Sequence, residues 1–233
     1  MPKEIKTRVK EVIQRTHNVK SARLEVSDAD FKAGQFMVVM LHGNPELKRC
    51  LSISNSPTEK GYMEFTKKLT ESTFSKELDN LQPGDPVKVQ YPMGNFTLED
   101  AKDKIAFLSG GIGITPIRSI CKYAVDNKLD TAITLLYGNQ SLKDIVFKDD
   151  FAEMARQYSG LKVVHVLHEP DRGFDSRTGL INKDIIKEEV PDYKDRKFYI
   201  CGPPAMVAAM KKIITEELAL PAERVITENF QGY

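Results

Sequence analysis

The stretch Leu108-Ser109-Gly110-Gly111-Ile112-Gly113-Ile114-Thr115-Pro116 decides how this chain folds. The apolar lead-in Ile105-Ala106-Phe107-Leu108 predicts a buried strand. Gly110, Gly111 and Gly113 strip Cβ atoms from the turn that follows, and Pro116 suits the first turn of a helix, where a missing N–H costs nothing. Strand, glycine turn and helix in that order leave backbone N–H groups able to face a phosphate. The same pattern also serves plain close packing, so the turn needs its neighbours to be interpreted.

Working outward, the rhythm on the two sides differs. After residue 100 strands and helices alternate. Strands are expected at 105–108, 132–137, 161–167, 197–201 and 225–227, and helices at about 115–127, 147–158, 181–189 and 204–218. That order predicts a parallel sheet with helices on both faces. Before residue 100 short alternating segments are separated by turn residues: 8–13, 22–26, 35–41, 62–66 and 86–90. These predict an antiparallel β-barrel, interrupted by one short helix from Ser75 to about Leu81. The expected domains are therefore 1–100, a β-barrel, and 101–233, an α/β domain.

Composition excludes several classes. Of 233 residues, 41% are apolar and 29% charged, as in ordinary globular proteins, and the net charge of +1 gives no broad basic field for nucleic acid. No apolar run approaches a membrane span. Cys50, Cys121 and Cys201 are far apart with no CxxC pair, so no zinc or iron–sulfur ligation is expected and the metal expectation is none. Free thiols and the lack of a signal peptide favour a reducing cytoplasm.

Five further segments carry candidate chemistry. Arg49-Cys50-Leu51-Ser52-Ile53-Ser54-Asn55 offers a guanidinium fork suited to a pyrophosphate, with short polar side chains beyond it; an ordinary edge strand would read similarly. Thr73-Phe74-Ser75 opens the short helix, with Ser75 as its expected N-cap. Tyr137-Gly138-Asn139-Gln140 ends a parallel strand, where ligands of open sheets lie. Asp144 follows and suits a ribose diol, whereas the adjacent Lys143 suits a 2′-phosphate. Cys201-Gly202-Pro203-Pro204 ends another strand, with Gly202 permitting close approach. The tail Glu228-Asn229-Phe230-Gln231-Gly232-Tyr233 ends in an aromatic that either hangs free or stacks on a planar cofactor.

Together these segments resemble the ferredoxin–NADP reductase superfamily, near its NADH–cytochrome b5 reductase-like and oxygenase-reductase branches. Arg49 to Asn55 resembles the family's Arg-x-Tyr-Ser-x-x-Ser flavin motif, with Leu51 at the tyrosine and Asn55 at the last serine. Thr73-Phe74-Ser75 resembles its pyrophosphate turn, with Ser72 where glycine is usual, and Tyr91-Pro92-Met93-Gly94-Asn95-Phe96 resembles its Gly-Pro-x-Gly-x-Phe corner. Gly110 to Pro116, Tyr137 to Gln140 and Cys201 to Pro204 match its pyridine-nucleotide signatures.

The resemblance implies an NAD(P)H-dependent flavoprotein reductase. Arg49, Leu51, Ser52, Ser54, Asn55, Thr73 and Ser75 would hold FAD, or alternatively FMN. Gly110, Gly111, Gly113, Thr115, Asp144, Cys201, Gly202 and Pro203 would hold NADH, or alternatively NADPH. Ser52, Cys201 and Glu228 would stand at the reacting atoms, with Phe230 or Tyr233 against the flavin ring. Electrons would pass to a separate protein such as a ferredoxin, rubredoxin, cytochrome or oxygenase component. Two other readings remain open: a free-flavin reductase, which the weaker stacking at Leu51 keeps open, and an electron-transfer or regulatory subunit of a larger complex.

Overall fold

The computed structural model describes residues 2–229, and the chain divides into two compact units. One runs to Leu98 and also takes in Thr115–Asp126; the other comprises Glu99–Ile114 and the described residues from Asn127 onward.

In the first unit β1 (Lys3–Thr16), β2 (Val19–Leu24), β3 (Phe36–Leu41), β4 (Lys48–Ser52), β5 (Met63–Lys68) and β6 (Pro86–Met93) form an antiparallel sheet in the order β4-β3-β6-β1-β2-β5. All five expected strands are present, and Lys48–Ser52 joins them as a sixth. The long β1 turns the corner: Lys3–Arg8 pair with β6, and residues from Val9 onward pair with β2 across a register shift at Val9/Glu11. The two edge strands then meet. Ile53 bridges Phe65, and Ser54 N donates to Glu64 O at 2.8 Å, so the sheet nearly closes into a barrel. Alternate residues Met37, Val39 and Leu41 of β3 and Val87, Val89 and Tyr91 of β6 fill its interior with Phe65 and Phe74. Each such side chain contributes about 1.5–3 kcal/mol on burial.

The short helix α1 (Thr73–Asn80) starts earlier than expected. Its N-cap is Ser72, not Ser75: Ser72 has extended dihedrals and its Oγ accepts from Ser75 N at 3.3 Å. Ser75 lies inside the first turn, buried. The second helix, α2 (Ile114–Asp126), follows the glycine turn directly.

The second unit is a parallel sheet of β7 (Lys104–Gly110), β8 (Ala132–Asn139), β9 (Leu161–Leu167), β10 (Arg177–Thr178), β11 (Lys197–Gly202) and β12 (Val225–Asn229), ordered β10-β9-β8-β7-β11-β12. From β7 the chain winds outward through β8, β9 and β10, then returns to β11 on the other side of β7. The β7/β11 boundary is therefore the topological switch point, where open α/β sheets bind ligands beyond the strand carboxyl ends. Helix α3 (Lys148–Gln157) sets Phe151 against Tyr137, ring centroids 6.4 Å apart. Helices α4 (Lys183–Glu189) and α5 (Pro204–Lys212) pack Ile185, Ile186, Val207 and Met210 against Leu108, Leu136 and Ile200. The expected helix over 204–218 keeps α-geometry only to Lys212. Ile213–Glu217 form a wider turn, in which Leu218 N reaches back to Ile213 O at 2.9 Å. Among the described residues no helix is long and apolar enough to cross a membrane.

Candidate active site

In the barrel unit the strand register sorts the flavin-motif residues by face. Arg49 pairs with Val39 and Leu51 with Met37, both core residues, so Arg49 and Leu51 share the inner face while Cys50 is exposed. The Arg49 guanidinium lies 5.4 Å from the centroid of the Phe74 ring at the start of α1. It donates to Lys48 O at 2.7 Å, and no ion pair among the described residues involves it. Lys67, at the end of β5, is a buried cation close enough to Arg49 to feel its charge, and was not singled out from the sequence. Its ammonium is held below the ordinary lysine range, by burial first and then by the charge of Arg49. Two cations that repel each other beside a helix N-terminus make a seat for an anion. The N-terminus itself is rich in donors: the hydroxyls of Thr70, Ser72 and Ser75 lie within 3.1 Å of one another in succession, and the N–H groups of Thr73 and Phe74 have no acceptor among the described residues. The donor set suits the pyrophosphate of a dinucleotide.

The two serines of the motif differ. Ser52 is buried at the end of β4, and its hydroxyl makes no hydrogen bond to another described residue. Ser54 lies past the closure of the barrel, where its Oγ meets Glu64 O at 3.2 Å, Glu64 Oε1 at 3.1 Å and Thr66 Oγ1 at 2.9 Å. Glu64 is itself paired with Arg15 at 3.0 Å and Arg23 at 2.9 Å. Asn55 is engaged likewise: Nδ2 donates to Ser56 O, Glu59 O and Tyr62 O, and Oδ1 accepts from Glu64 N at 2.8 Å. The Ser54 and Asn55 side chains thus hold the loop that follows the motif.

In the second unit the glycine turn and the end of β11 meet at the switch point. A Cβ on Gly113 would stand 2.2 Å from Cys201 O, and one on Gly110 would stand 2.3 Å from Met206 Sδ and 3.5 Å from Pro203. Gly111 adopts the left-handed backbone that favours glycine, at φ +53°, and its carbonyl accepts from Tyr137 Oη at 3.0 Å. Gly202 sits 3.2–3.3 Å, measured from an ideal Cβ, from the backbone of Gly110. Three separate sequence segments therefore converge, Gly110–Gly113, Tyr137 and Cys201–Met206. Ser109, which no motif drew attention to, has an Oγ that is buried without a partner among the described residues, at the same strand end. Thr115 is buried in the first turn of α2, in the other compact unit. Glu228 pairs with Cys201 across β11 and β12. Burial raises the Glu228 carboxyl, and burial together with the Glu228 charge raises the Cys201 thiol. Asp144 closes a short 3-10 turn, its Oδ2 accepting from Ser141 N at 3.1 Å and Ser141 Oγ at 2.6 Å, while Lys143 is exposed. Phe230 and Tyr233 lie outside the described residues.

Residues 6–98 match the family profile described as "Oxidoreductase FAD-binding domain", and residues 107–212 match "Oxidoreductase NAD-binding domain". The NADH-cytochrome b5 reductase 1 of Dictyostelium discoideum is 32% identical over 88% of this chain and 75% of its own length. The chain belongs to the ferredoxin–NADP reductase superfamily, in its NADH–cytochrome b5 reductase-like branch. The protein of the same name from Aspergillus terreus is 32% identical over 82% of this chain and 68% of its own length. Among solved structures, the cytochrome P450 reductase of Amycolatopsis superposes with a TM-score of 0.86 at 26% identity, covering 98% of this chain and 70% of that one. The cytochrome b5 reductase domain of Ulva prolifera nitrate reductase shares the fold, with a TM-score of 0.84 at 23% identity and 97% of both chains covered. This chain is an NAD(P)H-dependent flavoprotein reductase, with an FAD-binding barrel and an NAD-binding α/β unit.

Proposed function

We propose that the chain takes a hydride from NADH and passes the electrons to a separate protein acceptor, with residues 1–100 serving the flavin and 101–233 the nucleotide. The observation that carries this reading is the convergence of the Gly110–Gly113 turn with Cys201 and Gly202 at the switch point of the parallel sheet. The curated relatives are NADH-cytochrome b5 reductases, which supports both the donor and a protein acceptor. That acceptor belongs to the class of small redox proteins, a ferredoxin, rubredoxin, cytochrome or oxygenase component.

Arg49, Lys67 and the N–H groups of Thr73 and Phe74 bind the FAD pyrophosphate. Ser75 and Ser72 order the helix start that presents them. Leu51 would stand beside the ring, and Ser52 would hydrogen-bond its reactive edge through a hydroxyl that has no other partner among the described residues. Ser54 and Asn55 brace the loop after the motif and touch the cofactor through backbone at most. When bound, FAD supplies the conversion between hydride transfer and single-electron release. Gly110, Gly111, Gly113, Ser109 and Thr115 cradle the nucleotide phosphates, and Gly202 and Pro203 let the nicotinamide approach closely. The Cys201 thiol, with its proton held by burial, offers a small neutral wall there. Burial raises the Glu228 carboxyl above the ordinary carboxylate range beside it. The protein's part in hydride transfer is alignment and electrostatics.

Asp144, pinned by Ser141, accepts from the ribose diol of NADH and repels the 2′-phosphate of NADPH. Anaerobic mixing of the yellow holoprotein with each nucleotide tests this. NADH should bleach the flavin absorbance faster, and Asp144→Ala should narrow the difference. Faster bleaching by NADPH would move the assignment to Lys143. Leu51, where the flavin motif has an aromatic, favours a second reading as a free-flavin reductase. A colourless protein that oxidises NADH only with added flavin would establish it.

A further inference from the structure

Helix α2 is fastened to the loop after the flavin motif by directed polar bonds. Arg118 is 6% exposed and grips Glu59 with both terminal nitrogens, Nη1 on Oε2 and Nη2 on Oε1 at 3.1 Å. Nη1 also donates to Ser54 O at 3.3 Å, and the neighbouring Ser119 Oγ donates to Asn55 O at 2.7 Å. Glu59 takes two further bonds, from Ser56 N at 2.7 Å and Tyr62 Oη at 3.1 Å. Farther along the helix Asp126 accepts from Thr58 Oγ1 and Lys122 Nζ. Between these anchors Ile120 lies so near Gly34 that a Cβ there would stand 2.8 Å from it. The carbonyls held by Arg118 and Ser119 belong to Ser54 and Asn55, the last residues of the flavin motif.

A buried ion pair is a poor way to gain stability, because desolvation offsets much of its attraction and apolar pairs often do as well. What a bidentate guanidinium–carboxylate pair adds is direction, since two parallel bonds fix rotation as well as distance. A helix held by apolar contacts alone can slide by fractions of an ångström. One held by Arg118 and Ser119 cannot slide without breaking buried bonds. Thr115, at the start of the same helix, is one of the proposed nucleotide contacts.

We propose that Arg118 and Ser119 are positioning residues for hydride transfer, locking α2 and the Thr115 it carries in fixed register with the flavin motif. This rests on the flavin and nucleotide assignments above. The test uses flavin-loaded protein and anaerobic stopped-flow reduction by NADH, which separates the limiting rate from the half-saturating NADH concentration. The double variant Glu59→Leu/Arg118→Leu removes both charges together and so leaves neither buried alone. It should fold and keep its flavin while the limiting rate falls about 10- to 100-fold, the cost of a sub-ångström to 1 Å misplacement. Half-saturation should stay in place. Arg118→Lys, which keeps the charge without the fork, should recover part of the rate. A double variant reduced at the wild-type rate would overturn the proposal, and so would one whose only defect is lost flavin. Should the double variant not fold, Ser119→Ala decides: a slower limiting rate supports the proposal and a wild-type rate overturns it. Wild-type holoprotein that NADH does not reduce would overturn the functional reading and this inference with it.

Discussion

Replacing Lys67 with methionine should move two properties in opposite directions. Lys67 is 5% exposed, and its ammonium donates to Lys68 O at 3.1 Å. Burial and the charge of Arg49 hold its pKa below the ordinary lysine range. A lysine whose folded pKa is depressed penalises folding wherever it is charged in both states. That penalty is present in full below the folded pKa and is relieved as pH rises toward the unfolded value of about 10.4. At neutral pH the flavin-free protein carries this cost. Lys67→Met keeps the packed stem and removes the charge, so the flavin-free variant should melt higher than wild type, and the gap should shrink as pH rises. Binding a pyrophosphate inverts the sign, because the two cations then face an anion. A charge-assisted hydrogen bond contributes roughly 1.5–3 kcal/mol, so losing it should weaken FAD binding about 10- to 150-fold. Fluorescence titration of flavin-free protein with FAD, and melting followed by circular dichroism at two pH values, measure both effects. Riboflavin, which has no phosphate, should bind wild type and variant alike. Unchanged FAD affinity would refute the anion-seat argument, and so would equal losses for FAD and riboflavin.

Two further substitutions probe neighbouring claims. Ser52→Ala should leave stability unchanged and slow flavin reduction about 5-fold, the equivalent of ~1 kcal/mol for one hydrogen bond. Ser54→Ala should instead cost about 1.5–3 kcal/mol of stability by removing a buried hydrogen bond to the Glu64 carboxylate, which keeps Arg15 and Arg23, with little change in reduction rate. Urea unfolding and stopped-flow absorbance together distinguish the pair, and matching profiles for the two would refute it. His165 lies between Tyr137 and Phe174, ring centroids 6.0 and 5.0 Å away, and burial first, then Lys148, lowers its pKa from 6.5 to about 4. Its neutral form is native, so stability present above the unfolded pKa is lost as pH falls from 6.5 toward 4. The shift sets an upper bound of ~3 kcal/mol, reduced to ~2 by partial solvent exposure. His165→Phe should therefore lose about 2 kcal/mol less than wild type between pH 7 and 4.5, read from urea midpoints. Identical acid sensitivity in both proteins would count against the assignment.

The sequence made the architecture legible because each half imposes a different spacing on its apolar residues. Met37, Val39 and Leu41 alternate as a barrel strand must, while Ile105–Leu108 is apolar throughout, as a strand covered on both faces must be. The glycine turn of the candidate site was legible for a related reason. Gly113 cannot carry a Cβ against Cys201 O, so the demand of the fold is written into the residue type. The flavin half resisted, because several residues there satisfy one local rule equally well. Between Thr70 and Ser75 stand four hydroxyl-bearing residues, each a candidate cap, and only backbone geometry selects Ser72. Ser52 and Ser54 differ by two positions and would share a face of one continuing strand. The strand ends at Ser52, however, and Ser54 is taken by β5 at the closure of the barrel. Lys67 beside Lys68 resembles a solvated strand end until the closure buries one and exposes the other. Arg118 and Glu59 are 59 residues apart, and nothing local announces either. The unread residues thus share one property: their roles arise where distant segments close on each other. Local patterning specifies the elements, and the closures specify which polar side chains are left free for a ligand. At a site built on such closures, substitutions of identical chemistry should diverge according to which segment meets them, as Ser52 and Ser54 are expected to do.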